Sequence, residues 1–591
     1  MSYRAPLDDI GFALRHAAGL GTAVDQGLFG ELSLDDVDAV VAEAGRFAGE
    51  VIAPLNRVGD TFGAKFKDGA VTTAPGWKEA YRDWRLAGWN AVTAPAQWGG
   101  QALPQTVNAA CTEMWHSASV GFANGPMLTM AAIDALNAHG SDTLKRTYLE
   151  KLVSGEWMGT MQLTEPQAGS DVGALRTRAE RAGDGSYRLK GQKIFITYGE
   201  QDFTDNIIHF VLARLPDAPP GTRGISLFLV PKFLLKPDGA LGPRNDIRAH
   251  SIEHKLGIHG SPTCTMVLGD KDGATGFLIG EENAGMACMF TMMNRARLAV
   301  GLQGVGLAEA ATQQALAYAR ERKQGRTAGM KATESASIIA HPDVRRMLLT
   351  MRALTQAARG ICYAAAMAID RGERSADEAA RQAAHAQASL LTPVAKAFST
   401  DIANEVASLG VQVHGGMGYI EETGAAQFFR DARIAPIYEG TNGIQAIDLV
   451  TRKLPLGNGA TVKAHCEELR GIVGALNASN DPGFGWTAVR LDDAVESLSR
   501  VTAWLLAKIE KEPDAALAGA TPYLRLFGIT TGGCLLAKQA LAALRLGGDA
   551  AGRVATTRFF AENIAVQSDA LERTVIEGAP GVLGADAALA S

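Results

Sequence analysis

The sequence lacks the cysteine patterns that mark disulfide-rich or zinc-binding proteins. Its six cysteines lie far apart and include no Cys-x-x-Cys pair. This spacing is typical of reduced thiols and argues against a disulfide framework or a zinc ribbon. The cysteines are Cys111, Cys264, Cys288, Cys362, Cys466 and Cys534.

Long uncharged apolar runs are also missing. A membrane-spanning helix needs about 18 or more apolar residues, and the best candidate, GITTGGCLLAKQALAALRLGG, carries Lys538 and Arg545. The first residues, MSYRAPLDDIGFALRH, place acidic side chains where an export signal needs an apolar stretch. We therefore predict no stable membrane insertion and a cytoplasmic location.

An excess of basic residues is absent as well. The 57 Lys and Arg residues are outnumbered by 63 Asp and Glu residues, which gives a formal net charge of −6. Proteins that coat nucleic acids are strongly basic, so we predict no nucleic-acid partner. No internal repeat at a fixed period is apparent in the sequence.

The patterns that are present divide the 591 residues into four domains. Residues 1–158 show helical periodicity, with Ser33 as a predicted N-cap. Residues 159–285 hold short β-branched or aromatic runs between turns, which predict a compact antiparallel β domain or small barrel. Residues 286–455 predict a bundle of long helices, and 456–591 a helical extension after a linker at 455–461.

More specific expectations concern individual elements. Strands are predicted over 187–199, 206–215, 224–232 and 263–270. Long helices are predicted over 343–372 and 376–410, the second with a bend at Pro393. In the extension, Thr521 and Pro522 are predicted as the N-cap and first residue of a helix.

Several short motifs are weak when taken alone. His250, Glu253 and His254 match an H-x-x-E-H zinc pattern, but they lie among strand-like runs, so we predict two loop histidines and no metal. HGGMG (414–418) could approach a phosphate or simply end a helix. No strand is followed by G-x-G-x-x-G, which argues against a Rossmann nicotinamide site.

One carboxylate stands out by its position. In IAPIYEGTNGIQ (434–445), Glu439 lies between Tyr438 and the flexible turn 440–443. An arbitrary glutamate near a helix N-terminus is usually a solvated surface group. The rest of the chain has to decide between that interpretation and a catalytic one.

Four motifs occur together in one order along this helix–strand–helix chain. They are MQLTEPQAGSD (161–171), KIFITYG (193–199), RERKQGR (320–326) and HGGMGYIEETGAAQFFRDARIAPIYEGTNGIQ (414–445). The combination resembles the acyl-CoA dehydrogenases over residues 30–455, and 456–591 resemble the extension of the family's long form. The resemblance implies an α+β, mainly α fold: an N-terminal helical domain, a central β domain, a helical bundle and an extra helical domain.

The resemblance also implies a reaction, the FAD-dependent α,β-desaturation of an acyl-CoA thioester. Glu439 is then the catalytic base, because one base opposite one flavin suffices when a proton leaves Cα and a hydride leaves Cβ. Gly440 lets the thioester approach the main chain. Some family members carry the base in the segment that matches 294–301, where this sequence has no acidic residue.

Further site residues follow from the matched motifs. Asn294, Arg297, Gly440 and Ser170 are expected to meet the CoA substrate, although many members have Asp where Asn294 stands. Phe195 replaces a frequent Trp and keeps an aromatic face. The expected FAD-binding residues are Gln162, Leu163, Thr164, Ser170, Phe195, Ile196, Thr197, Arg322, Gln324, Gln412, Gly415, Gly416, Thr441 and Gly443.

Partners and alternatives follow from the same resemblance. Electrons are expected to pass to an electron-transferring flavoprotein, and the chain to form a homo-oligomer, most simply a dimer. An acyl-CoA oxidase and a DNA-associated flavoprotein on this fold remain alternatives, the second disfavoured by the 12 basic against 15 acidic residues of 456–591, a net charge of −3. The acyl group stays open between a three-carbon thioether chain and short, medium or long fatty acyl chains.

Overall fold

The computed structural model describes residues 3–331, 333–547 and 550–590. A helical region comes first, interrupted by a small hairpin of β1 (Lys65–Lys67) and β2 (Ala70–Thr72) that the sequence patterns did not predict. Its helices are α1 (Leu7–His16), α2 (Leu20–Asp25), α3 (Leu34–Phe47), α4 (Ala53–Phe62), α5 (Trp77–Leu86), α6 (Gln105–Ala118), α7 (Val120–His139) and α8 (Asp142–Val153).

The β region follows directly. Its strands are β3 (Trp157–Gln162), β4 (Arg178–Arg181), β5 (Tyr187–Thr197), β6 (Asn206–Arg214), β7 (Ile225–Pro231), β8 (Phe233–Leu235), β9 (Leu241–Arg244), β10 (Ile247–Ile252), β11 (Thr263–Leu268) and β12 (Ala274–Ile279). The strands predicted over 187–199, 206–215, 224–232 and 263–270 are confirmed as β5, β6, β7 and β11. His250 lies within β10 and not in a loop.

The rest of the described chain is helical. Its long helices are α9 (Gly285–Glu321), α10 (Pro342–Arg374) and α11 (Glu378–His414), and α11 runs through Pro393. The remaining helices are α12 (Ala425–Ala432), α13 (Asn442–Asp448), α14 (Ala460–Ser479), α15 (Thr487–Lys508), α16 (Pro513–Ala518), α17 (Ala520–Leu546), α18 (Ala551–Asn563), α19 (Ser568–Glu577), α20 (Ala579–Leu583) and α21 (Asp586–Leu589).

The large sheet closes into a small barrel. Neighbouring strands pair in the circle β5–β12–β7–β6–β4–β5, and β11 and β10 continue from β5. Apolar side chains such as Leu189, Val211 and Phe228 fill its core. Most strand pairs of this domain are antiparallel, as predicted, but β3 and β4 both pair parallel to β6. Strands β3 and β6 run in the same direction because β4 and β5 return the chain between them.

The chain forms two compact units. One comprises Met1–Arg46, Gln105–Ser117 and Arg297–Ser591, and the other Phe47–Pro104 and Ala118–Ala296. The first unit is a helical bundle in which α10 packs along α11. The second contains the barrel, with α7 against β3, where the Thr129 hydroxyl accepts a hydrogen bond from Gly159 N at 3.1 Å.

The first residues of α3 and α17 can be compared with the two predicted N-caps. The Ser33 hydroxyl accepts a hydrogen bond from Asp36 N at 3.1 Å, so the predicted N-cap of α3 is confirmed. The prediction at Thr521 was wrong, since α17 begins at Ala520 after Gly519. Pro522 still lies in the first turn, where its missing N–H leaves no intrahelical hydrogen bond unmade. The expected linker at 455–461 is a tight turn with positive φ at Gly457 and Asn458.

The C-terminal extension packs on the helices that precede it. Helix α17 contacts α10, α11 and α13, and its apolar residues Leu524, Phe527, Leu535 and Leu536 are buried. A Cβ built on Gly528 would lie 2.2 Å from the Phe398 ring, so α17 and α11 approach as closely as glycine allows. The extension therefore docks on the chain's own bundle, where the apolar side chains of α17 are buried.

The same helix is the single one in the described chain that is long and apolar enough to cross a membrane. Its most apolar stretch is 89% buried inside the protein. Burial on this scale is typical of a core helix, which passes the same test of length and composition.

Candidate active site

Glu439 lies in a strained turn between α12 and α13. Its φ is +58°, and Gly440 follows at +84°. A left-handed backbone is uncommon for residues other than glycine and persists only where surrounding contacts hold it. Here Asn442 N donates to Pro436 O at 2.9 Å, and the Lys396 ammonium donates to Gly440 O at 2.9 Å.

The surroundings of Glu439 alter its acidity. Burial raises the pKa of its carboxyl group to about 7, although the charges of Lys396 and Arg297 act in the opposite direction. A carboxyl group with a pKa near neutrality can both accept and release a proton at physiological pH. This is the behaviour of an acid–base catalyst and not of a solvated surface glutamate.

Tyr438 anchors the other side of the turn. Its hydroxyl donates to Gln303 Oε1, while Gln303 Nε2 donates to His116 Nε2 at 3.1 Å. The His116 ring contacts Thr112 O through Nδ1 at 2.8 Å, and burial lowers its pKa to about 4. The histidine is therefore neutral, and this chain of hydrogen bonds fixes Tyr438 without adding a charge.

The main-chain groups of the turn are only partly hydrogen-bonded. Gly440 O accepts hydrogen bonds from both Lys396 Nζ and Gln445 Nε2, the second at 3.3 Å. In contrast, no acceptor among residues 3–331, 333–547 and 550–590 bonds to the main-chain N–H of Glu439. That N–H is available to an oxygen atom of a ligand.

Arg297, expected to contact the substrate, is not a surface residue. Its side chain is largely buried, with Nη1 3.9 Å from Asp448 Oδ2. Its Nη2 would lie 3.8 Å from a Cβ on Gly440, which places it beside the turn. Asn294, expected to meet the same substrate, is exposed on α9.

Two side chains stand out near the C-terminal end of β3 in the barrel unit, the polar Gln162 and the aromatic Phe195. Gln162 is fully buried, yet neither its Oε1 nor its Nε2 has a hydrogen-bond partner in the described part of the chain. Phe195 is 59% exposed, at a bulge of β5 where its φ is +59°. A bulge redirects a side chain, here onto open surface.

These two features fit a flavin. An isoalloxazine ring has a hydrogen-bonding edge for a buried amide and a flat face for an exposed aromatic ring. Ile194 N donates to Thr164 O at 2.9 Å, so the segments Gln162–Thr164 and Phe195–Thr197 are neighbours. Leu163, Thr164 and Thr197 are half-buried, Ile196 is buried and Ser170 is exposed.

A buried ion pair fixes this loop. Lys193 Nζ lies 2.8 Å from Glu165 Oε1 and donates to Leu163 O at 3.0 Å. Burial opposes ionisation of Glu165, but Lys193 and hydrogen bonds from Thr177 and Arg176 hold its pKa down to about 2. The charged pair therefore persists at neutral pH and positions Leu163 and Thr164.

The other expected cofactor residues lie in the helical unit. Arg322, Gln324, Gln412, Gly415 and Gly416 are all exposed, and a Cβ on either glycine would meet no atom within 4 Å. Near the base, the Thr441 hydroxyl accepts from Ile444 N at 3.2 Å and caps α13, while Gly443 is exposed. The five exposed residues of the first set are therefore accessible to a ligand, whereas the Thr441 hydroxyl is used to cap α13.

Sequence reasoning missed the residues that hold the turn, namely Lys396, Asn442, Gln445 and Gln303. The available signal was a lysine within the apolar run LLTPVAKAF on α11. In the described chain, no group of three or more His, Cys, Asp or Glu residues could hold a metal ion.

Comparison with known proteins covers nearly the whole chain. Family models match residues 35–156 (acyl-CoA dehydrogenase, N-terminal domain), 160–271 (middle domain) and 283–454 (C-terminal domain). A fourth, described as acetyl-CoA dehydrogenase C-terminal like, matches residues 460–586.

Individual relatives agree with these matches. The chain is 46% identical to 3-methylmercaptopropionyl-CoA dehydrogenase of Ruegeria pomeroyi, over 99% of this chain and 100% of the relative. An acyl-CoA dehydrogenase from Bacillus anthracis in complex with FAD shares the fold at TM-score 0.75 and 21% identity, over 92% of this chain and 88% of that one. A structure described as the electron transferring flavoprotein of Acidaminococcus fermentans matches at TM-score 0.58 and 26% identity, over 71% and 98%.

Proposed function

Because the chain belongs to the acyl-CoA dehydrogenase family, we propose that Glu439 is the base that removes the α-proton of its substrate. The protein is an FAD-dependent oxidoreductase that desaturates the Cα–Cβ bond of acyl-CoA thioesters. The observation that carries our proposal is the Glu439 turn, which holds one carboxyl group with a raised pKa at a strained backbone position.

The geometry supports a defined set of roles. A proton on the carbon next to a thioester becomes acidic when the carbonyl oxygen accepts hydrogen bonds, and the open N–H of Glu439 can donate one. The carboxylate of the same residue then accepts that proton. FAD, when bound, supplies the two-electron oxidant for the hydride that leaves Cβ. Half-burial of the turn limits water access, so the proton stays on Glu439.

Other acidic residues near the turn are committed elsewhere. Asp448 faces Arg297 and also pairs with Arg452 and Lys453. Asp401 accepts a hydrogen bond from Asn442 Nδ2 at 2.7 Å. Segment 294–301, where some family members carry their base, has no carboxylate. These commitments support the assignment of Glu439 as the base.

We assign the flavin to Gln162 and Phe195 with the residues beside them. Gln162, Leu163 and Thr164 would meet the ring edge and Phe195 its face, with Ile196 and the Thr197 hydroxyl beside them. Ser170, which is exposed, would meet the pyrophosphate or the CoA, and the exposed Asn294 would meet the CoA chain. Arg322, Gln324, Gln412, Gly415 and Gly416 are assigned to the cofactor of a second subunit, and Gly443 to the segment that borders it.

A shared cofactor site predicts a homodimer. Light scattering of the FAD-loaded protein should give twice the mass of one chain, 62.2 kDa. Arg322→Ala should weaken FAD retention, because its exposed guanidinium, which among the described residues bonds only Gln324 at 3.4 Å, can bind an anionic cofactor. Arg558→Ala, on the extension, is the control and should retain FAD. A fully active, FAD-loaded monomer would contradict the assignment.

The acyl group is assigned from the full-length relative. A protein 46% identical over the whole chain is named for 3-methylmercaptopropionyl-CoA, the three-carbon thioether thioester. We expect this thioester to give the highest kcat/KM in a series with butyryl-, octanoyl- and palmitoyl-CoA, measured with an artificial electron acceptor. A preference for palmitoyl-CoA would instead require a long acyl pocket and would overturn the substrate assignment.

We also propose that electrons leave to an electron-transferring flavoprotein and that the enzyme works in the cytoplasm. Structural likeness to a chain from an electron transferring flavoprotein structure supports the first point. Six unpaired, buried cysteines support the second, since they suit a reducing compartment. Reduction of an added electron-transferring flavoprotein, with little peroxide release, is the expected result; rapid peroxide release would favour an oxidase.

A further inference from the structure

Lys396 is a buried cation whose contacts point to the catalytic turn. It lies in the middle of α11 and is 0% exposed. Burial of a charged group without compensation is costly, and Lys396 forms no ion pair with any carboxylate of the described residues. Its Nζ instead donates to Gly440 O and to Asn442 Oδ1, both at 2.9 Å.

Asn442 extends this contact back into α11. Its Nδ2 donates to Asp401 Oδ1 at 2.7 Å and to the Thr400 hydroxyl at 2.9 Å. Both ends of the Gly440–Asn442 segment are thus attached to one helix, Gly440 through Lys396 and Asn442 through Asp401. Gly440, the first residue of this segment, continues the left-handed backbone that starts at Glu439.

We propose that Lys396 is a positioning residue for the dehydrogenation. It fixes the Glu439–Gly440 turn through Gly440 O and presents a positive charge to the Glu439 carboxylate. The proposal rests on Glu439 being the base. Fixing the turn keeps the carboxylate and the Glu439 N–H in one geometry for the substrate. The charge favours the ionised form of Glu439, the form that can accept a proton.

Charged groups from several other helices also face the turn. Arg297 from α9 faces Asp448 of α13, which also binds Arg452 and Lys453. Burial raises the pKa of Asp401, and its hydrogen bond from Asn442 and the charges of Arg525, Lys396 and Arg433 oppose this rise. Arg525, from α17, pairs with Glu405 at 3.0 Å.

Lys396 and Glu439 influence each other. Burial lowers the pKa of Lys396 to about 7, while Glu439 and Asp401 raise it and Arg297 lowers it further. Two interacting groups of this kind titrate as a pair. Lys396 is most fully charged on the acid side of neutrality, so its effect on Glu439 is greatest there.

The test compares Lys396→Gln and Lys396→Met with Lys538→Met. Glutamine keeps a donor for Gly440 O without the charge, and methionine keeps neither. Lys538 is a half-buried control whose Nζ likewise bonds a main-chain carbonyl, Ala17 O at 3.3 Å. The probe is methoxyacetyl-CoA, an analogue of butyryl-CoA whose ether oxygen replaces Cβ, so that it can lose a Cα proton but no β-hydride.

Exchange of the Cα protons of this probe in D2O, followed by mass spectrometry across pH, reports proton removal alone. Loss of the charge should move the acid limb of the wild-type profile about one pH unit higher, and so lower the exchange rate at pH 6 about tenfold in both variants. The methionine variant should also show a lower alkaline plateau, because its turn is no longer held. Lys538→Met should follow the wild-type profile.

A pH titration of the Glu439 carboxyl infrared band, assigned with Glu439→Gln, measures the same shift without turnover. Folded, FAD-containing variants whose acid limb coincides with that of the wild type would contradict the proposal. Failure of both variants to fold, judged by circular dichroism and flavin content, would make Lys396 purely structural and contradict it equally. If Glu439→Gln retained exchange, the assignment of the base itself would be wrong, an outcome distinct from either.

Discussion

Glu439→Gln should lose proton removal while retaining FAD and the acyl-CoA substrate. The amide has nearly the size and shape of the carboxyl group but cannot accept the Cα proton. Removal of a positioned acid–base group typically lowers the rate about 10²–10⁴-fold, and the described chain has no second uncommitted carboxylate at the turn. The exchange of methoxyacetyl-CoA protons in D2O and the rate of flavin bleaching by a true substrate should fall together.

A matched substitution separates this effect from general damage. Glu467 lies exposed on α14 and pairs with Arg470, so Glu467→Gln removes a carboxylate without touching the turn. Its exchange rate should equal that of the wild type. Exchange in Glu439→Gln at a rate near that of the wild type would contradict the assignment of Glu439 as the base.

Removal of the extension should have the second large effect. A chain that stops at Pro455 exposes the surfaces of α10, α11 and α13 that α17 covers. Each fully buried Leu, Ile or Phe side chain contributes about 1.5–3 kcal/mol, and α17 buries several. Their sum is comparable to the whole stability of a domain, about 5–15 kcal/mol. We expect aggregation or loss of FAD, measured by size-exclusion chromatography and flavin absorbance.

A shorter truncation provides the control. A chain that stops at Gly584 removes only α21, which contains no buried residue, and should behave like the full-length protein. If the chain that ends at Pro455 stayed soluble, dimeric and active and lost only binding to liposomes, the apolar face of the extension would be a membrane-binding surface instead.

Much of the fold could be predicted because local patterns determine it. Alternation over 187–199 and helical periodicity over 343–372 correspond to β5 and α10. The parallel pairing of β3 with β6 could not be read locally, since it depends on how the chain returns after β5. The start of α17 was misplaced because Thr521 and Pro522 suit a cap, yet the helix begins two residues before Pro522, at the buried Ala520.

The candidate site, like the fold, could be predicted from the sequence only in part. Glu439 was identified by its motif, but its raised pKa arises from burial that the sequence does not encode locally. Lys396 and Asn442 are 46 residues apart in sequence and 2.9 Å apart between Nζ and Oδ1. Only the packing of α11 against the turn brings them together, so no local pattern could reveal the contact.

The central claim is that this enzyme removes one hydrogen from each of Cα and Cβ, and product analysis tests it most directly. The purified holoenzyme is given 3-methylmercaptopropionyl-CoA carrying two deuterium atoms on Cα, together with an artificial electron acceptor. Mass spectrometry should show an α,β-unsaturated thioester that has lost one deuterium from Cα and one hydrogen from Cβ. A product that keeps both deuterium atoms, or one that has gained oxygen, would contradict the account.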